Sequence, residues 1–142
     1  MTKEVLVSID SIQQMEDASE SGTISTSELG SYFFKNGKHY VIYDEENADA
    51  SGIVKNTLKF DENELSITKT GAVRTLMVLK KNLKNASGYN TPFGIILVET
   101  DTKEISITEE EDEINISASY ELYVNEEYTS NNKIIVKIKS LG

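Results

Sequence analysis

The sequence predicts an all-β fold of about eight to ten antiparallel strands, the mean strand being short, and three observations carry that prediction. Val, Ile and Thr supply 36 of the 142 residues, whereas Ala and Leu supply only 16, a balance that favours a pleated surface over a helix. Most segments alternate apolar and polar residues with a period of two, the signature of a strand with one face in a core. Polar turn signals separate these segments from end to end. Such strands form either an antiparallel sandwich or an up-and-down barrel; closure removes exposed edges and favours the barrel. With no linker rich in Pro, Gly or Ser, residues 1–142 are expected to form a single domain.

The first strand is expected over residues 3–14, with Val5, Val7 and Ile9 facing the core. An acidic stretch, 16–22, precedes a long strand from Thr23 towards Lys35. Asn36-Gly37 is the strongest local signal, because a two-residue type I′ turn needs positive φ at both central positions. In that register Lys35 pairs with Lys38, Phe34 with His39, Phe33 with Tyr40 and Tyr32 with Val41. After an acidic loop, 44–52, Val54, Asn56, Leu58 and Phe60 share one face, and Leu65 and Ile67 begin the next strand. Residues 72–79 are apolar on both faces, with Val73, Thr75, Met77 and Leu79 opposite Ala72, Leu76 and Val78. Residues 82–91 are expected to be irregular, with one short helical turn at 83–86, and Pro92 to open a strand over 93–100. Ile105 and Ile107 mark a further short strand, followed by the acidic turn 109–113. Ile114, Ile116, Ala118, Tyr120, Leu122 and Val124 give the clearest alternation, and Ile134, Val136 and Ile138 face inward in the last strand.

Composition also excludes function classes. A net charge of −10 opposes binding to nucleic acid, and the stripe Lys133, Lys137 and Lys139 is better suited to guarding a strand against wrong pairing. No Cys and one His leave no thiol chemistry and none of the common zinc sites, so no cofactor and no metal are expected. The acid runs Asp44-Glu45-Glu46 with Asp49, and 109–113, lack the alternating spacing and central Gly of an EF-hand loop. The N-terminus has no secretory apolar segment and no stretch long enough to span a membrane, so a cytoplasmic protein without membrane contact is expected.

His39 is the one side chain able to serve as base in a Ser/His/Asp arrangement, but a triad also needs a placed nucleophile and an orienting group. It is expected to lie packed or exposed on the barrel wall, and the protein is not expected to be an enzyme. Arg74, the sole Arg, can anchor an anion within a barrel or lie over apolar neighbours outside it. Asn56, Thr75 and Tyr120 fall on faces assigned to the interior, where polar groups need partners.

The order of Gly30-Ser31-Tyr32, the Asn36-Gly37 hairpin, Tyr40, Tyr43-Asp44-Glu45, Thr57-Leu58, Gly71 with Val73 and Met77, Tyr89-Asn90-Thr91-Pro92-Phe93-Gly94, Thr100, Tyr120-Glu121-Leu122 and Asn132-Lys133 resembles the YwiB-like family of uncharacterised bacterial proteins. The resemblance runs over nearly the whole chain and implies a lipocalin-like (calycin) up-and-down β-barrel in a bacterial cytoplasm, with no established activity. The family pattern carries Arg near Lys69, a second Thr near Asn56 and an acid near Asn90, so this chain departs from it among polar residues.

These readings lead to a small-molecule-binding module as the expected function, since an eight-stranded barrel is just wide enough to hold one ligand. The expected site is an apolar cavity bordered by Asn56, Thr75 and Tyr120, with Tyr43 and Thr91 near its mouth and Arg74 as the candidate anion anchor; the ligand is a small apolar or amphipathic molecule. The alternative is a protein-interaction or homodimeric module with a filled core, associating through 72–79 and 93–100, where Leu76 with Val78 or Ile96 with Val98 is the outward set.

Overall fold

The predicted alternations become one ten-stranded antiparallel sheet in the computed structural model, which describes residues 2–15, 21–46, 52–71 and 74–142. The strands are β1 (Glu4–Met15), β2 (Ser21–Lys35), β3 (Lys38–Glu46), β4 (Ile53–Phe60), β5 (Glu64–Gly71), β6 (Thr75–Lys80), β7 (Lys84–Thr91), β8 (Gly94–Glu109), β9 (Glu113–Val124) and β10 (Glu127–Ser140). Every strand pairs with its neighbour in sequence except β6 and β7, and β1 pairs with β10. This is an up-and-down meander curled into a nearly closed barrel. At the seam, the Thr100 hydroxyl donates to the Val78 carbonyl at 3.0 Å, and Thr102 exchanges backbone hydrogen bonds with the Asn82–Leu83 turn. Among the described residues no helix is long and apolar enough to cross a membrane.

The core follows from the alternation. Val5, Val7 and Ile9 of β1, Val54, Leu58 and Phe60 of β4, Leu65 and Ile67 of β5, and Ile134, Val136 and Ile138 of β10 are buried as their spacing requires. The 36–37 hairpin has the expected register, with φ of 53° at Asn36 and 78° at Gly37.

Three segments depart from expectation. Residues 84–91 form strand β7, with no helical turn at 83–86, because Lys84↔Asp101 through Thr91↔Gly94 pair with β8 and satisfy their backbone groups there. Pro92 lies in the turn between these strands, where its fixed φ and missing N–H are harmless. The expected strands 93–100 and 105–108 are one strand, β8, continued through a bulge between Thr102 and Glu104. The last strand starts well before Lys133, because Asn125 and Glu126 adopt φ of 49° and 70° and close a two-residue hairpin. On β8, Ile96 and Val98 share the inward face of buried Thr100, so the outward set includes Ile95 instead.

Candidate functional site

The barrel interior nearer the Asn36–Gly37 turn is filled by one apolar cluster that includes Val7, Val41, Leu58, Phe60, Leu65, Leu79, Ile116 and Val136. It ends at His39, which is only 8% exposed. The imidazole stacks on Phe60 and meets the edge of Phe34, with Tyr32 Oη 2.7 Å from Nδ1 and Glu109 against Nε2. Burial, and then the Glu109 charge, raise the pKa of Tyr32 above its ordinary value. Of the two expected placements on the wall His39 therefore takes the packed one, and it also has an orienting carboxylate that the sequence did not reveal.

Beside the apolar cluster, which includes Tyr43, a row of polar side chains crosses four strands. Directly paired residues place Tyr43, Asn56, Lys69 and Thr75 in one row across β3, β4, β5 and β6. Three of these, Tyr43, Asn56 and Thr75, were expected at the site; Lys69 joins them because it continues the inward face of Leu65 and Ile67. Lys69 Nζ lies 2.7 Å from Glu45 Oε1. Burial raises the Glu45 pKa, but hydrogen bonding to Lys69, the nearby Asn56 amide and the Lys69 charge together hold it below the usual carboxylate range. Tyr43 is pushed up to about 12 by burial and, secondarily, by Glu45 and Glu28, so its phenol stays protonated and remains a donor.

Asn56 is the anomaly in this row. It is 0% exposed, and although its amide is close enough to influence Glu45, neither Nδ2 nor Oδ1 reaches hydrogen-bonding geometry with any partner among the described residues. Buried amides are normally satisfied.

The remaining expected residues fall elsewhere. Tyr120 stands half-buried on the other wall, in the row Thr102, Tyr120, Asn132 across β8, β9 and β10. Beside it Thr102 is fully buried with its hydroxyl unpartnered among the described residues; it was hidden in sequence because it falls between the expected strands at 93–100 and at Ile105 and Ile107. Arg74 is exposed immediately before β6, and the inward set of that strand runs through Thr75, Met77 and Leu79, so Arg74 does not line the interior. Thr91 ends β7 opposite Gly94, and its side chain lies outside what is described, as does Asp49 of the acid run.

The row offers a protonated phenol, a hydroxyl, an internally neutralised ion pair and an amide with donor and acceptor both unengaged. The residues expected to border one cavity are divided between two walls, Asn56 and Thr75 on one and Tyr120 on the other, with Tyr43 packed into the apolar cluster.

The comparisons with known proteins agree with this architecture. An uncharacterised β-barrel protein, YwiB, of Bacillus subtilis (strain 168) is 28% identical over 127 residues, covering 89% of this chain and 88% of that one. The crystal structure of the ywiB protein from Bacillus subtilis superposes with a TM-score of 0.82 at 23% identity, covering 99% of this chain and 93% of that one. Residues 7–136 match the family described as a domain of unknown function, DUF1934. With the ten-stranded meander, its register and this match over most of its length, the chain belongs to the DUF1934 family.

Proposed function

We propose that the chain is a non-catalytic cytoplasmic module that binds a small polar or amphipathic molecule at the polar row across β3 to β6, as a lipocalin-like (calycin) barrel holds a ligand. The observation that supports this reading is the Asn56 amide. A buried amide without partners costs on the order of 1–3 kcal/mol, and a bound molecule presenting a donor beside an acceptor would recover it. Tyr43, Thr75 and the Glu45–Lys69 pair surround that position with groups already held in one charge state. The test is ligand-observed NMR with a set of small amides, carboxylates and amino alcohols against the parent and Asn56→Leu. Binding by the parent that the variant loses supports the reading; equal binding, or none, overturns it.

A second reading, a protein-interaction module, is favoured by Leu76, Phe93 and Ile95, which are exposed near the seam. Capture of a partner protein that Ile95→Glu abolishes supports it, whereas binding indifferent to that change does not.

A further inference from the structure

The edges of β2 are unequally used. Along one edge β1 pairs with it from Glu4↔Ser31 to Gln14↔Ser21. Along the other, β3 pairs with it only from Gly30 to Lys35. Beyond Tyr43, β3 runs on to Glu46 with β4 alone, so among the described residues no strand pairs with the outer edge of residues 21–29. Natural edges are blunted by Lys, Pro, bulges or cover. This one reads Ser-Gly-Thr-Ile-Ser-Thr-Ser-Glu-Leu, with no Lys, no Pro and a single charge, Glu28, near one end. Its pairing with β1 runs without a bulge. Residues 22–27 are exposed on both faces, and Ile24 is 71% exposed on the face it shares with Ser11 and Ile9.

We propose that this edge is a self-association surface, on which the same segment of a second copy of the chain adds antiparallel across a two-fold axis at Ser25. A two-fold axis perpendicular to the sheet keeps each paired side chain on the same face, so the numbers of paired residues must sum to an even value. Centring on Ser25 uses every residue from 21 to 29. It sets Glu28 against the partner subunit's Gly22, so no like charges face each other. It also brings Ile24 diagonal to the partner subunit's Ile24, roughly 7–8 Å away and within reach of apolar contact. The edge adjoins the polar row through Glu28, whose charge acts on Tyr43, and its occupant is a second copy because the segment is complementary to itself in this register. The charge of −10 on each copy opposes the contact, so added salt strengthens it.

The test uses the absence of cysteine from the chain. Directly opposed antiparallel residues lie at roughly 4.5–5.5 Å between Cα atoms, within disulfide range. Under mild oxidation Ser25→Cys is expected to yield a covalent dimer and Leu29→Cys none. In sedimentation at high micromolar concentration, Ser25→Lys is expected to weaken the dimer several-fold, a mixture of Ser25→Lys with Ser25→Glu to restore it, and Ile95→Glu to leave it intact. A parent that stays monomeric, a dimer indifferent to both Ser25 changes, or cross-linking as efficient through Leu29→Cys would overturn the proposal.

Discussion

Asn56 and Tyr43 sit opposite each other, and each stores a testable cost. Replacing the unpartnered amide with a hydrocarbon of similar size removes a buried desolvation penalty, so Asn56→Leu is expected to stabilise the ligand-free protein by about 1–3 kcal/mol in urea unfolding. A destabilised variant would mean that the amide is satisfied. The phenol behaves differently. Burial pushes its folded pKa to about 12, above the ordinary tyrosine value of about 10, so folding favours the neutral form. That stability is fully present below pH 10 and is lost as pH rises towards 12, by on the order of 2 kcal/mol. Tyr43→Phe is expected to remove this part of the alkaline decline, which denaturant midpoints at pH 9 and pH 11.5 would show. Alternation made Asn56 legible in the sequence, since it falls in phase with Val54, Leu58 and Phe60, whereas Tyr43 was expected near the mouth of a cavity. The ion pair between Glu45 and Lys69 was not legible, because it joins strands that do not pair with each other, β3 and β5, and depends on a register that sequence does not display.

At the level of the strand, glycine and turn chemistry decide which segments announce themselves. Asn36-Gly37 was readable because both residues tolerate positive φ; Asn125-Glu126 was not, because Glu at φ 70° contradicts the usual preference. Replacing that residue, Glu126→Gly, is expected to raise stability by about 0.5–1 kcal/mol, provided the hairpin register is kept. Strand β7 escaped for another reason. Its sequence lacks a run of apolar residues at alternate positions, and among the described residues its one ladder is to β8. Gly30 marks the point where β2 turns from pairing with β1 alone to pairing with β3 as well. A Cβ there would meet the Ile42 carbonyl at 2.8 Å and Val7 Cγ2 at 3.2 Å, whereas one at Gly22 meets nothing within 4 Å. Gly30→Ala is therefore expected to cost about 1–3 kcal/mol and Gly22→Ala to fall within about 0.5 kcal/mol of the parent, both read from chemical denaturation.

For the molecule as a whole, the weak line is the seam. The strands β6 and β7 each pair on one side only, with β5 and β8, while β1, β9 and β10 pair on both sides and carry Val5, Val7, Ile114, Ile116, Val136 and Ile138 in the core. Stability follows buried contacts and paired backbone, so opening is expected to begin at β6 and β7 and to reach β1, β9 and β10 only on global unfolding. The Thr100 hydroxyl is the side-chain clasp across that line, donating to Val78 from a buried position. Thr100→Val keeps the shape and removes the donor, leaving the Val78 carbonyl to find water or remain unpaired, at a cost of about 1–2 kcal/mol. Native-state hydrogen exchange is the measurement that separates a local clasp from a general loss of packing. Amides of β6 and β7 should exchange faster in the variant by more than the change in global stability accounts for, while those of β1, β9 and β10 shift only with that global change. Uniform acceleration across all ten strands would show that the barrel opens as one unit and that the seam is as firm as any other pair of strands.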